Sequence, residues 1–292
     1  NRVLLFNHTL DRDGAPSVLY NLAKHIVNTH SIKVTVFSLK DGSLRHDYEK
    51  LMINVVIISV NIHNADFSEI TAKLDTSYKQ ATHIVFNTVL WIDVLNSMSM
   101  IDMYEAKISW IVHENEIHPG KTLNGFWYGE EFSNFFTKVK NIVRTLHKMV
   151  IVSNNVRLLW SEFDYGNFLT LLPMPNINYN SDSTTRKHIG IPDNAIVISS
   201  VGTICTRKNQ RWGIEVLRHL RSKDIPTYYL MIGTPSDMGG QGENKYYNDM
   251  IKLIRKYSLD DFVVKIPFSK NISQYLKLTD IHFSASSHEG FP

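Results

Sequence analysis

Apolar and polar positions in the first part of the chain follow two alternating patterns. Short runs rich in β-branched and aromatic residues predict strands. Between them apolar residues recur every three or four positions, which predicts helices over residues 15–29 and 89–98. This alternation is typical of a parallel sheet with helices on both faces. The predicted strands are residues 3–6, 34–37, 55–59, 83–86, 108–111, 150–152 and 168–171.

The alternation stops at a polar stretch and then begins again. This stretch contains Pro173, Pro175 and Pro192, and prolines interrupt helices and strands. We therefore expect a first domain at 1–175, a linker at 176–192 and a second domain at 193–292. The second has fewer strands than the roughly six of a Rossmann-like domain, so we expect it to be incomplete. Its predicted strands are 195–201, 227–232, 262–264 and 281–284, and its predicted helices are 208–221, 244–257 and 272–277.

Composition narrows the class of protein without naming a function. Of the 292 residues, 43% are hydrophobic and 20% are charged, as in ordinary globular proteins. The single cysteine, Cys205, excludes an internal disulfide and fits a reducing compartment, so we expect a cytoplasmic protein. The net charge of +3 permits an acidic ligand but is too small to indicate nucleic acid. No apolar run reaches the ~20 residues of a membrane span.

Two loops after first-domain strands could carry chemistry. Residues 9–17 follow the first strand, and Gly14 there permits close approach of an anion to a helix N-terminus. The loop lacks the G-x-G-x-x-G dinucleotide pattern and is equally compatible with an ordinary turn. His113 and His118 miss the zinc-protease spacing by one residue, so they would not share a helix face. His113 either packs structurally, contacts a ligand hydroxyl or takes part in proton transfer.

Two segments of the second domain are candidates for anion and hydroxyl binding. Arg207 and Lys208 follow a strand that ends at Gly202, and together they suit phosphate oxygens, although a solvated surface pair is the other interpretation. Glu289 follows the final strand beside Gly290, where its carboxylate could accept hydrogen bonds from hydroxyls. The glycine-rich segment 233–242 matches neither the phosphate-binding loop nor the dinucleotide pattern.

Taken in order, these segments resemble the retaining glycosyltransferases of family 4, also called group 1, over nearly the whole chain. Each match is weak alone, but their order and spacing are fairly specific. The resemblance implies a GT-B fold, in which two Rossmann-like α/β domains face each other across a cleft. The matching segments are residues 14–23, 110–114, 152–156, 173–177, 201–208, 230–233, 262–267 and 280–292.

The resemblance also implies roles for individual residues. His113 and Glu289 would be catalytic, with His113 near the transferred sugar and Glu289 holding hydroxyls of the donor sugar. Gly14, Arg207 and Lys208 would bind the donor diphosphate, and the amides of Gly290 and Phe291 would help to hold the donor. Many family members carry an arginine where this chain has Thr203, and Arg207 would replace it.

The activity that follows from the resemblance is transfer of a sugar from a nucleoside-diphosphate sugar to a glycan or lipid-linked acceptor, with retention at the anomeric carbon. The family pattern needs neither a metal nor a cofactor, and its partners are small molecules and glycans rather than nucleic acid. The resemblance leaves open whether the protein makes peripheral contact with a membrane. The second glutamate of the family's Glu-x7-Glu motif would fall beyond the last residue, so we expect the 292-residue chain itself to be inactive.

Other interpretations remain open at this point. A phosphorylase or an epimerase could use the same two-domain scaffold, and a non-catalytic protein could bind nucleotide sugars or glycans. A Rossmann-type oxidoreductase is disfavoured because the G-x-G-x-x-G pattern is missing. The sequence does not identify the base, the sugar or the acceptor.

Overall fold

The computed structural model forms two compact units, Asn1–Pro173 and Met174–Gly290. It describes residues 2–58, 70, 79–99, 105–114, 132–164, 166–170, 184–235, 240–267, 269, 271–287 and 289. Each unit has its own sheet and its own apolar core.

The first unit is built around a seven-stranded sheet whose described strand pairs are all parallel. The strand order is β3-β2-β1-β4-β5-β6-β7. The chain winds outward from β1 in one direction and from β4 in the other, so the order reverses between them. In open parallel sheets, ligands bind beyond the carboxyl ends of the strands at such a reversal. The strands are β1 (Arg2–Asn7), β2 (Lys33–Ser38), β3 (Asn54–Ile57), β4 (His83–Asn87), β5 (Lys107–Val112), β6 (Lys148–Ile151) and β7 (Phe168–Thr170).

Five described helices accompany this sheet, and aromatic side chains fill its core. Phe6 on β1 stacks on Phe37 and Phe86 of the neighbouring strands, with Trp91 packed edge-on against it. The β-branched and aromatic runs seen in the sequence are therefore the buried central strands of a parallel sheet. The helices are α1 (Gly14–Thr29), α2 (Arg45–Lys50), α3 (Ile92–Ser99), α4 (Phe132–Thr145) and α5 (Asn154–Trp160), and 3-10 turns lie at Val89–Trp91 and Ser161–Phe163.

The second unit has a smaller four-stranded parallel sheet. Its order, β10-β9-β8-β11, reverses between β8 and β11. The strands are β8 (Ile196–Val201), β9 (Thr227–Ile232), β10 (Val263–Ile266) and β11 (Ile281–His282). The helices are α6 (Arg211–Arg221), α7 (Gly240–Lys256) and α8 (Ile272–Leu276), with 3-10 turns at Lys187–Ile189 and Asp260–Phe262.

Part of the predicted linker is folded onto the second unit. Ile191 is buried in its core. The guanidinium of Arg186 donates to both carboxylate oxygens of Asp280, each at 2.8 Å, and to the carbonyl of Ala195. Residues 184–192 therefore belong to the second unit rather than to a free linker. Residues 171–183 lie outside the described part, so the linker over 176–183 and the domain bounds stay predictions.

The start of α6 differs from the sequence-based expectation. The apolar periodicity predicted a helix from residue 208, but α6 begins at Arg211. Residues 206–210 form turns instead, and Asn209 has a left-handed backbone with φ of 52°. Asparagine adopts this conformation more readily than most residues, so it can divert the chain just before the helix. Arg207 and Lys208 consequently lie in a loop.

Candidate functional site

The loop of residues 202–210 carries two cations at the carboxyl end of β8. The buried side chain of Gln210 holds this loop, since its amide nitrogen donates to the carbonyl of Thr203 at 2.8 Å. Its amide oxygen accepts from the backbone N–H of Cys205 at 3.4 Å. These two hydrogen bonds join Gln210, after the turn, to residues before it, so they fix the turn that carries Arg207 and Lys208.

Two glycines make room for this loop. Gly202 has φ of 138°, and the methylene stem of Lys208 passes within 3.5 Å of the position that a Cβ on Gly202 would occupy. Gly233, at the end of β9, has φ of 143°, and a Cβ there would lie 2.0 Å from the carbonyl oxygen of Gly202. The loops after β8 and β9 can therefore pack together only because Gly233 lacks a side chain, whereas at Gly202 it is the backbone conformation that favours glycine.

Glu289 meets both cations. One carboxylate oxygen lies 2.5 Å from Nζ of Lys208, and the other lies 3.0 Å from Nη1 of Arg207. The backbone N–H of Ser287 also donates to the carbonyl of Arg207 at 2.9 Å. The contact follows from the strand order, because β8 and β11 are neighbours and the segments beyond their carboxyl ends meet at the reversal of the sheet.

The charges in this cluster favour an ionised carboxylate. Partial burial raises the pKa of Glu289, but hydrogen bonds from Lys208 and Ser286 and the charge of Arg207 outweigh it, so the pKa lies below its usual value. The two cations also lie just before the N-terminus of α6, where the helix dipole favours negative charge. In the structure the carboxylate of Glu289 is the negative group that these two cations contact.

The first unit has a polar cluster at the equivalent edge of its own sheet. Asn7 ends β1 and Asn87 ends β4, the two strands on either side of the reversal. The side-chain nitrogen of Asn87 donates to Oδ1 of Asn7 at 3.1 Å and to the carbonyl of Ala15 at 3.0 Å. Its amide oxygen lies 2.8 Å from Nε2 of His113, which follows β5.

Burial keeps the histidines of this cluster neutral. Burial, with a smaller contribution from the nearby His8, lowers the pKa of His113 to about 3. Burial also lowers the pKa of His8 to about 4, against an opposing effect of Asp11. Both imidazoles are therefore uncharged near neutral pH. In this state each ring offers one hydrogen-bond donor and one acceptor.

A buried glutamate holds the backbone at the ends of β4 and β5. One oxygen of Glu114 accepts from the backbone N–H of His113 at 3.0 Å, and the other accepts from that of Val89 at 3.2 Å. Between them Thr88 has φ of 80° and ψ of 162°, a strained conformation for a residue with a side chain. Burial raises the pKa of Glu114 to about 7, although backbone hydrogen bonds from Val89 and His113 oppose the shift.

Of the residues predicted from the sequence, three come together and one lies in the first cluster. Arg207, Lys208 and Glu289 form the cluster of the second unit, and His113 belongs to that of the first. Gly14 begins α1 next to Ala15, and a Cβ there would meet nothing within 4 Å, so packing alone does not require glycine. Gly290 and Phe291 lie outside the described residues, as does His118.

The sequence reasoning missed four buried polar residues: Asn7, Asn87, Glu114 and Gln210. The signal was present for two of them, because Asn7 and Asn87 each end a strongly apolar strand. A buried polar side chain at that position must find a partner, and the partner lies on a neighbouring strand.

Within the described residues, no helix is long and apolar enough to cross a membrane. In the same part of the chain, no group of three His, Cys, Asp or Glu side chains is arranged to hold a metal ion.

Comparison with known proteins gives a family match for the second unit and a fold for the chain. Residues 181–292 match the family "Glycosyl transferases group 1". None of the curated proteins matches the sequence.

Solved structures match nearly the whole chain. Anabaena Alr3699/HepE in complex with UDP and glucose has a TM-score of 0.75 at 16% identity, over 98% of this chain and 74% of that chain. A glycosyltransferase from Rickettsia africae has a TM-score of 0.70 at 17% identity, over 97% of this chain and 73% of that chain. WaaG, a glycosyltransferase involved in lipopolysaccharide biosynthesis, has a TM-score of 0.64 at 14% identity, over 99% and 76%. Two parts of the recognition made from the sequence are therefore confirmed: residues 181–292 match the group 1 glycosyltransferases, and the chain has the GT-B fold of its structural relatives. Membership of the retaining family 4 stays a prediction.

Proposed function

We propose that this protein transfers a sugar from a nucleoside-diphosphate sugar to a glycan or lipid-linked acceptor, with retention at the anomeric carbon, as in family 4. The observation that carries the proposal is the cluster of Arg207, Lys208 and Glu289 at the reversal of the second sheet. It combines groups for an anion with a carboxylate for hydroxyls, the two chemistries that a sugar diphosphate needs.

The cations would act on the leaving group. As the bond between the sugar and the diphosphate breaks, negative charge grows on the diphosphate oxygens. Lys208 and Arg207, held in place before the reaction, would stabilise that charge in the transition state. The bidentate fork of Arg207 and the point charge of Lys208 would do this without a metal ion, so we propose that turnover needs none.

Glu289 would change partners when the donor binds. Its carboxylate leaves the two cations, which then hold the diphosphate, and accepts hydrogen bonds from hydroxyls of the transferred sugar. Gly14 and the amides of Gly290 and Phe291 complete the proposed donor site, and His113 is proposed to lie near the transferred sugar. The proposed setting is cytoplasmic.

Nucleotide binding by the purified chain tests the proposal first. We expect UDP, GDP or ADP to raise the unfolding temperature selectively and equally with or without EDTA. UDP is the first to test, because Alr3699/HepE was crystallised with UDP-glucose. Lys208→Ala should weaken binding about tenfold or more, since a charged hydrogen bond to phosphate contributes roughly 1.5–3 kcal/mol.

A matched control variant shows whether the loss of nucleotide binding is specific to Lys208. Lys252 lies on α7 of the same unit, with its side chain 76% exposed, so Lys252→Ala should leave nucleotide binding unchanged. Equal loss in both variants, or a response to NAD(P) with none to the three nucleotides, would contradict the proposal. Transfer itself is then measured with the radiolabelled nucleotide sugar that matches the preferred nucleotide, in a protein that also includes the second glutamate of the Glu-x7-Glu motif.

A further inference from the structure

The amide of Asn87 has one orientation that satisfies its neighbours. Asn87 is fully buried, and one atom of its amide lies 3.0 Å from the carbonyl oxygen of Ala15. A carbonyl oxygen only accepts hydrogen bonds, so the atom facing Ala15 must be the NH₂ group. The same group also donates to Oδ1 of Asn7. The oxygen of the Asn87 amide must therefore face His113.

This orientation determines which nitrogen of His113 carries the proton. The oxygen of Asn87 lies 2.8 Å from Nε2 of His113 and can only accept, so Nε2 must be the N–H group. In a neutral imidazole the other nitrogen, Nδ1, then has a free lone pair. The ring is neutral because burial lowers the pKa of His113.

The backbone of His113 is fixed as well. Its N–H donates to the buried carboxylate of Glu114, whose other oxygen accepts from Val89 at the end of β4. The indole of Trp160 donates to the carbonyl of Glu114 at 3.2 Å. Ring and backbone are thus held by separate hydrogen bonds, and the held state presents Nδ1 as an acceptor.

We propose that Asn87 is a positioning residue that fixes His113 as its Nε2–H tautomer, so that Nδ1 accepts a hydrogen bond from a hydroxyl of the bound ligand. That the hydroxyl belongs to a sugar rests on the proposed function, whereas the tautomer does not. A hydroxyl that donates to Nδ1 keeps its oxygen lone pairs. His113 therefore binds the ligand and does not supply a proton to it.

Long-range ¹H–¹⁵N spectra of the imidazoles test the tautomer directly in the full chain. We expect His113, assigned through the signals lost in His113→Gln, to show a protonated Nε2 and a bare Nδ1 that do not change between pH 6 and 8. A protonated Nδ1, or titration of His113 in this range, would overturn the proposal without any need for an activity assay.

Replacing Asn87 separates positioning from simple packing. Asn87→Asp puts a carboxylate against Nε2, which favours the imidazolium, so His113 should gain a second proton and begin to titrate at higher pH. The acceptor at Nδ1 is then lost, and kcat/KM for transfer, measured in the protein that includes the second motif glutamate, should fall about tenfold or more, with recovery as the pH rises. The control is Asn54→Asp, a change at an exposed residue of β3. It should alter neither the titration of His113 nor kcat/KM.

The outcomes distinguish this inference from the proposed function. If no nucleotide sugar is turned over while the spectra show the Nε2–H tautomer, the transferase proposal fails and the tautomer stands. If transfer is measured but folded Asn87→Asp leaves both the His113 signals and kcat/KM as in the parent chain, the positioning role of Asn87 is wrong.

Discussion

Two glutamates in this chain have opposite pKa shifts, and their surroundings explain the difference. Glu114 is buried among backbone groups, so its charged form is disfavoured and its pKa rises to about 7. Glu289 is only half-buried and lies against Arg207 and Lys208, which hold its pKa below the usual value. The first residue titrates near neutrality, while the second stays ionised.

The shift at Glu114 predicts a pH-dependent stability. Its folded pKa of about 7 lies above the unfolded value of 4.5, so the stabilisation is present below pH 4.5 and is lost as the pH rises through 7. The loss from this group alone is on the order of 3 kcal/mol. Glu114→Gln, which cannot titrate, should remove this slope from the free energy of unfolding measured with urea.

A difference curve isolates Glu114 from other titrating groups. The lowered pKa values of His8 and His113 have the opposite effect, because the unfolded chain binds protons there that the folded chain does not, and stability then falls with falling pH. Subtracting the free energy of unfolding of Glu114→Gln from that of the parent chain at each pH leaves the contribution of Glu114. A flat difference between pH 4.5 and 7.5 would rule out the raised pKa.

At this scale the sequence predicted charged residues better than buried polar ones. Arg207, Lys208 and Glu289 could be named because two cations and a carboxylate beside strand ends are visible in the sequence itself. Asn87 ends an apolar strand, but its partners Asn7 and Ala15 lie 80 and 72 residues away, so the sequence did not show what it contacts. Only the order of the strands in the sheet brings these residues together.

At the scale of elements, the loops after β8 and β9 depend on close backbone contact. The sequence predicted β9 with the bounds that the structure has, because both ends of that apolar run are sharp. It placed the start of α6 three residues too early, since the periodicity continues through a loop that Asn209 and Gln210 hold in a turn. Periodicity reports burial, and it does not report where helical hydrogen bonds begin.

Gly233 is the position where this contact is most sensitive. Gly233→Ala would place a methyl group 2.0 Å from the carbonyl oxygen of Gly202, at a φ of 143° that disfavours a side chain. We expect the free energy of unfolding to fall by about 3 kcal/mol, from strain and overpacking together. Gly14→Ala is the control, because nothing lies within 4 Å, and it should change stability by less than ~1 kcal/mol. Similar urea midpoints for the two variants would contradict the packing argument.

At the scale of the whole molecule, the same design occurs in both units. Each parallel sheet reverses its strand order once among the described strands, and each places a polar cluster at the carboxyl edge of that reversal. The parallel sheets follow from strand-helix alternation, which the sequence shows clearly, whereas the strand orders come from the structure. The two clusters differ in chemistry, with neutral amides and imidazoles in the first unit and ion pairs in the second.

Hydrogen exchange should locate nucleotide binding in one of these clusters. A bound nucleotide stabilises the local structure that it contacts, so amides there open less often. We expect UDP to slow exchange in peptides covering residues 202–213 and 283–289, with no change in those covering β2 and α2. Protection confined to the first unit would contradict the assignment of the nucleotide to the second sheet.

The ion pairs of Glu289 have a consequence for selectivity. Because its carboxylate already neutralises Lys208 and Arg207, a free inorganic anion gains little by displacing it and leaves a half-buried carboxylate without its two cationic partners. A molecule that carries both a negative charge and hydroxyl groups offers new partners to all three residues. Its charge can pair with Lys208 and Arg207, and its hydroxyls can donate to Glu289. In the proposed site Glu289 would therefore act as an internal competitor, which anions without hydroxyl groups, such as chloride, would have to displace without compensation.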